Sequence, residues 1–300
     1  MKASVIIPAY NAQKTIKDLL ASLVSQDYPQ KDYEVIVVDD GSKDNLKLKL
    51  EIKNLIFLQQ KHQGAGAARN LGAKKAQGEI LVFTDSDCLI PKDWVKNHFK
   101  SQEKYKDFGI IGGGVKKPKE GTYLAWADFL SSWFNAHEDL PKQEVKEYLP
   151  SLNISVKKEV FEELGGFWEK KLTGEDVDFC FRGRQRGVKI LFEPALAVWH
   201  QAPTFQGFLK HNFNWGYHAS FVRGQHQALS FHWLLSGGFF KALILFLPLV
   251  CGYTLYLLIR WWRYQPLRFI LCLPLIFFGK TSYALGVLVG SWQKSLKKND

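Results

Sequence analysis

Over the first ninety residues, short unbroken apolar runs alternate with stretches whose apolar residues recur every three or four positions. The runs are SVIIP at 4–8, YEVIVVDD at 33–40, LIFLQQ at 55–60 and EILVFTD at 79–85. Between them lie AQKTIKDLLASLVSQ at 12–26 and AGAARNLGAKKAQ at 65–77. Continuous apolar strands separated by amphipathic helices predict an α/β domain, a mostly parallel sheet with helices on both faces. Ligands of such sheets bind beyond the carboxyl ends of the strands. Three runs empty there into polar turns: PAYN at 8–11, DDGS at 39–42 and TDSD at 84–87.

After residue 110 the alternation loosens. YLAWADFLSSWF at 123–134 sets Trp126, Phe129, Leu130 and Trp133 on one helical face, equally a core helix or a membrane-surface or acceptor-side helix. Next come LNISVKKEVFEELGGF at 152–167, GEDVDFCFRGRQRG at 174–187 and VKILFEPALAVWH at 188–200. From Thr204 the chain interleaves Phe205, Phe208, Phe213, Trp215, Tyr217 and Phe221 with Lys210, His211 and Arg223, the composition of an interfacial segment. Two apolar stretches follow, 239–259 with Lys241 near one end and 269–289 with Lys280 inside. Each is long enough as a helix to cross ~30 Å of hydrocarbon. The predicted organisation is a catalytic domain at 1–203, an interfacial segment at 204–238, and two membrane helices with a basic tail at 239–300. With a cytoplasmic amino-terminal domain and two spans, Lys294, Lys297 and Lys298 stay inside, but Arg260, Arg263 and Arg268 fall outside, against the positive-inside rule. A shallow hairpin that never crosses removes that conflict.

Charge sharpens the division. The net charge of +11 suggests nucleic acid until it is located. Residues 1–200 are nearly balanced, whereas residues 201–300 carry ten basic residues against the single acid Asp300. A basic, apolar, aromatic segment fits an anionic membrane surface and excludes a nucleic-acid groove as the favoured partner. Cys88, Cys180, Cys251 and Cys272 form no CxxC pair, as expected of a reducing compartment. The first residues, MKASVIIPAYN, lack the long apolar core of a secretory signal. The expected location is the membrane, with the catalytic domain on its cytoplasmic face.

The candidate chemistry sits at the strand ends. Asp85 and Asp87, one residue apart after an apolar strand, repel unless a cation lies between them, and oxygen ligands suit Mg²⁺ or Mn²⁺ bridging to a phosphate. His200, closing LAVWH, is compatible with a third ligand. Asp39 and Asp40 could accept hydrogen bonds from a base or a ribose, or belong to a helix cap in which Ser42 or Asp44 satisfies the free N–H groups. Glu175 and Asp176 open a helix, where the macrodipole favours acids; a carboxylate there that faces the cleft could act as a general base. Arg69, in GAGAARN, could reach acids or phosphates across the cleft.

In order and spacing, SVIIPAYN, VVDDGS, GAGAARN, FTDSDCLIP, GGF, GEDVDFCFR and the closing WH resemble the family 2 inverting nucleotide-sugar glycosyltransferases of the GT-A fold, over about residues 3–200. The resemblance implies that Pro8 and Tyr10 line the nucleoside pocket, with Asp40 on the base and Asp39 near the ribose. It makes Asp85 and Asp87 the DxD pair holding a divalent metal on the diphosphate, with His200 completing the coordination, and Asp176 the catalytic base. The QxxRW element of the processive polysaccharide synthases is missing from FCFRGRQRG, so transfer of a single sugar is implied. The expected partners are a nucleotide-sugar donor, foremost a UDP-sugar, and a membrane-associated acceptor such as a lipid-linked saccharide. A polyprenyl-phosphate acceptor, which needs no base, is the nearest alternative. A nucleotidyltransferase leaves GEDVD and WH unexplained, and an inactive scaffold leaves the intact acids unexplained.

Overall fold

All seven residues of β1 (Ala3–Ala9) and of β2 (Tyr33–Asp39) are buried, and so are all five of β4 (Ile80–Thr84), as an apolar strand covered on both faces requires. The computed structural model describes residues 2–44, 46, 53–119, 121–169, 173–222 and 238–296. These fall into two compact units, residues 1–116 with 136–201 and residues 117–135 with 202–300. The interfacial segment beyond Val222 and the basic tail beyond Leu296 lie outside the described residues.

The first unit is built on an eight-stranded sheet ordered β3-β2-β1-β4-β8-β6-β9-β7. Its strands β3 (Leu55–Gln59), β2, β1 and β4 run parallel, in register from Val5 on Val35 and Val82. Between β4 and β6 (Phe108–Gly112), β8 (Asn153–Lys157) is antiparallel to both. On the far side β9 (Lys189–Phe192) continues parallel to β6, and the short β7 (Gln143–Glu144) closes the edge antiparallel. The helices of this unit are α1 (Ile16–Val24), α2 (Ala65–Lys75), α3 (Trp94–Lys104), α5 (Lys158–Glu163) and α6 (Glu175–Gln185). Helix α1 buries Ile16, Leu19, Leu20 and Leu23, the stripe its spacing predicted. The apolar run LAVWH is not a strand of this sheet. Pro194–Leu196 is a turn of 3₁₀-helix, Val198 makes an isolated parallel bridge to Val115, and the two-residue β10 (Trp199–His200) pairs antiparallel with β5 (Cys88–Leu89).

In the second unit the aromatic face of α4 (Tyr123–Ser132) is core at Phe129 and Leu130, which are buried, while Trp126 is half-buried under Arg268; the Leu130 carbonyl accepts from Trp261 Nε1 at 2.7 Å. Helix α7 is Phe205–Val222. The expected single helix at 239–259 is two, α8 (Phe239–Ile244) and α9 (Phe246–Trp261), broken at Leu245. The cause is Pro248, which has no N–H to give the Ile244 carbonyl and whose ring would press on it. The second apolar stretch is longer than expected, α10 (Pro266–Leu296), and is the one described helix long and apolar enough to cross a membrane by length and composition.

Candidate active site

The loops after β1 and β2 are tied together at the sheet's carboxyl edge. Asn11, at φ +52°, donates its backbone N–H to Ser42 Oγ, and its side-chain oxygen accepts from the Lys43 N–H. Asp39 accepts from the Ser42 N–H at 2.9 Å and from Gln59 Nε2 at 3.2 Å, one donor on each oxygen. Asp40, 2% exposed, takes four donors. Gln60 Nε2 and the Gln63 N–H meet Oδ1 at 2.7 and 2.8 Å, while the Gly64 N–H and His62 Nδ1 meet Oδ2, each at 2.8 Å. A carboxylate has about four lone-pair sites, so those of Asp40 are filled by the protein while Asp39 keeps two. The base contact expected of Asp40 is therefore not open in this arrangement. The acid closes the 60–64 loop instead. His62, which the motif reading passed over, stacks on Tyr10 with ring centroids 4.2 Å apart.

A second cluster gathers around α2 and α6. Gly66 lets α2 approach the loop after α5: a Cβ there would lie 2.5 Å from the Trp168 carbonyl oxygen. One turn on, Asn70 grips the same loop through the Phe167 backbone, donating to its carbonyl and accepting from its N–H, both at 2.8 Å. GAGAARN is thus a clamp for GGF, and Asn70 is a residue that sequence reasoning left without a role. Between Gly66 and Asn70, Arg69 is 2% exposed and lies over the Phe167 ring. It bridges two acids, one guanidinium nitrogen 2.5 Å from Asp85 Oδ1 and the other 2.6 Å from Glu175 Oε1.

Gly174, at φ +100°, caps α6 in a left-handed conformation that an L side chain resists, and this turn sends Glu175 inward. Asp176 follows, held by the Val177 N–H at 2.8 Å and the Ser151 N–H at 3.3 Å. Burial, reinforced by the neighbouring Glu175 charge, pushes the Asp176 carboxyl up to about 7. Burial also raises Asp85, partly offset by Arg69, with the Asp87 charge adding to the rise. Asp87 is met from the other side by the β5–β10 ribbon. His200 pairs with Cys88 in register, the Gln201 N–H donates to the Asp87 carbonyl, and His200 Nε2 lies 3.4 Å from Asp87 Oδ2.

The structure therefore brings Asp87 to His200, and Asp85 to Glu175 through Arg69, with Asp176 beside Glu175. Among the described residues, no three His, Cys, Asp or Glu side chains form a ready-made metal cage. The charge balance nonetheless fits a divalent cation: Asp85 and Glu175 share the one Arg69, and Asp87 adds a further carboxylate two residues after Asp85. Carboxylate oxygens with one imidazole are a donor set that Mg²⁺ or Mn²⁺ accepts.

A GT-A sheet with acids at its carboxyl edge is the frame of a nucleotide-sugar transferase, and the comparisons agree. The chain belongs to glycosyl transferase family 2, whose description matches residues 4–165. Glycosyltransferase AglE of Haloferax volcanii is 32% identical over 221 residues, 71% of each chain. The poly(ribitol-phosphate) beta-N-acetylglucosaminyltransferase TarS of Staphylococcus aureus is 42% identical over 131 residues, 38% of this chain and 22% of TarS. Among solved structures, the mannosyltransferase PcManGT from Pyrobaculum calidifontis, in complex with GDP-Man and Mn²⁺, superposes with a TM-score of 0.65 at 21% identity, over 98% of this chain and 88% of that one. TarS 1–349 in complex with UDP-GlcNAc gives 0.51 at 22% identity, over 71% and 66%.

Proposed function

We propose that this glycosyltransferase moves one sugar from a nucleoside-diphosphate sugar, a UDP-sugar before others, to a hydroxyl of a membrane-associated acceptor such as a lipid-linked saccharide, with inversion. The observation that carries the reading is the joined acid cluster: Asp176, fixed by the Val177 and Ser151 N–H groups, follows Glu175, which Arg69 ties to Asp85, and its carboxyl, pushed up to about 7 by burial and the Glu175 charge, is matched to general-base work near neutral pH. In the step, the acceptor oxygen attacks the anomeric carbon from the face opposite the leaving group. Its proton passes to Asp176, and the nucleoside diphosphate departs with the bonding pair. Pro8 and Tyr10 line the nucleoside pocket, and the two open acceptor sites of Asp39 suit the N–H of a base or a ribose hydroxyl. Asp85, Asp87 and His200 would hold Mg²⁺ or Mn²⁺, which when bound neutralises charge on the diphosphate. Arg69 keeps Asp85 and Glu175 in place. The UDP preference draws support from TarS, crystallised with UDP-GlcNAc. The basic, apolar carboxyl-terminal region supports attachment to the membrane, with the catalytic unit on its cytoplasmic face.

The test is a screen of nucleotide sugars with purified protein, Mn²⁺ and membrane extract, reading both the released nucleotide and the glycosylated product. Nucleoside diphosphate release with transfer to a lipid fraction is the expected result. Pyrophosphate release would identify nucleotidyl transfer instead, and silence with every donor would overturn the proposal.

A further inference from the structure

Helix α10 is covered along one side for most of its length. Cys272, Ile276, Gly279, Ala284, Val287 and Gly290 form a buried stripe on it. The α7 backbone lies directly against that stripe: a Cβ at Gly216 would collide with the Tyr283 carbonyl, and one at Gly286 with the Phe213 carbonyl. The seam is polar. Lys280, 1% exposed, reaches Asn212 Oδ1 at 3.2 Å and the Ser131 carbonyl at 3.1 Å, and Ser282 Oγ donates to the Leu209 carbonyl at 2.8 Å. Were α10 to cross a bilayer, α7 would be drawn in beside it, carrying the charge of Lys210 and the polar His211, Asn214 and His218 into the hydrocarbon. Helix α9 offers no second span. Its 16 residues extend ~24 Å at the helical rise, short of ~30 Å of hydrocarbon.

The other side of the same helices is apolar and open. Phe240, Ile244, Leu255, Leu267, Leu271 and Phe278 are between 57% and 78% exposed. An apolar groove of about 560 Å³ runs between α9 and α10, lined by Leu255, Leu258, Leu273, Phe277 and Phe278 among others. Around the turn joining α9 to α10 stand Arg260, Arg263 and Arg268 with Trp262 at 62% exposure, and in the last turns of α10 stands Trp292 at 52%. Exposed tryptophans and arginines beside an apolar face match the headgroup level of a bilayer, and the near absence of acid from residues 201–300 selects anionic lipid.

We propose that α8, α9 and α10 seat in one leaflet of an anionic membrane, in its plane and without crossing, with lipid acyl chains filling the α9–α10 groove. The inference rests on the membrane attachment proposed above and replaces a spanning hairpin by a monotopic one. The arginines of the α9–α10 turn then lie on the same side of the bilayer as the catalytic unit, which removes the conflict that two spans create.

The full-length chain with Cys251→Ser, which removes the exposed native thiol, receives either Arg263→Cys at the turn or Lys17→Cys on the catalytic unit. Each is treated with an impermeant maleimide in right-side-out and inverted membrane vesicles. Both cysteines should react from the same side; reaction of Arg263→Cys from the opposite side alone would establish a span and overturn the proposal. In flotation, vesicles of phosphatidylcholine with phosphatidylglycerol should bind about tenfold or more tightly than phosphatidylcholine alone, less so in high salt. The exposed double variant Leu271→Asp with Phe278→Asp should lose flotation and keep the unfolding temperature. Equal binding to both vesicle types would overturn the anionic-lipid assignment. Self-association of the unmodified chain without flotation would assign the face to a second copy. Absence of flotation altogether would refute the membrane attachment itself.

Discussion

Replacing Asp176 by Asn separates a base from a structural acid, and the geometry sets the size of the effect. The side chain keeps its shape, and the oxygen that accepts from the Val177 N–H can still do so. Proton acceptance is lost, and positioned general bases are worth about 10² to 10⁴ in rate. The carboxyl value of about 7 adds a second, independent signature. In the wild type the ionised fraction is about a tenth at pH 6 and above nine-tenths at pH 8, so turnover should rise by about tenfold over that interval and level off. Asn at 176 should flatten the rise as well as lower the rate. Glu175→Gln removes the neighbouring charge that helps raise Asp176, so its ascending limb should move to lower pH. The assay is release of nucleoside diphosphate at saturating donor, with donor affinity measured by calorimetry on the same preparations. A wild-type profile flat from pH 6 to 8, together with an Asn variant of near wild-type rate and affinity, would refute the reasoning and favour an acceptor phosphate that needs no base.

Three further outcomes follow from the same contacts. Asp40→Asn must set an amide against N–H donors on one side of the former carboxylate, costing about 1–3 kcal/mol; it should lower the unfolding temperature, whereas Asp39→Asn should mainly raise the donor KM. Asp87→Ala should abolish transfer, as EDTA should for the wild type; full activity in EDTA would remove the metal from the proposal. Because the folded carboxyl of Asp176 stands above its ordinary value of 3.8, its contribution to stability is present below about pH 4 and lost as pH rises through about 7. Asp176→Asn should therefore gain in unfolding temperature over the wild type at pH 8 relative to pH 5, read by scanning calorimetry without metal or donor.

What could be read from the sequence divides along a physical line. Strands β1, β2 and β4 announce themselves because burial on both faces fills their middles, Val5–Ile7, Val35–Val38 and Ile80–Phe83, with apolar residues and confines Ser4, Glu34 and Thr84 to their ends. The turns that follow them were legible for the same reason, since acids at the end of such a run stand out. The antiparallel insertion of β8 between β4 and β6 was not, because a five-residue strand carries no mark of its partners' direction. The single helix expected at 239–259 failed for a local reason, Pro248, whose effect on the Ile244 carbonyl a hydropathy window does not weigh. His200 was found as a residue type, but the ribbon that delivers it to Asp87 is two residues long on each side, too short for any periodicity to reveal.

Arg69 shows the limit most clearly, and with it the logic of the site. Its partner Glu175 is 106 positions away in the chain, so neither motif predicts the other. Once the two are joined, each explains the other's neighbours. A guanidinium this deeply buried must be paired on more than one side, and Asp85 and Glu175 supply the two carboxylates. Gly66 and Asn70 flank it on α2 because the loop carrying Trp168 and Phe167 must close over it. The same buried ion pair sets Glu175 beside Asp176, whose carboxyl is lifted towards neutrality by burial first and by the Glu175 charge second. In the proposed reaction Glu175 is in this sense a positioning residue. It anchors Arg69 on one side and sets the electrostatic environment of Asp176 on the other, so the acids after β4 and the acids opening α6 are parts of one charge network.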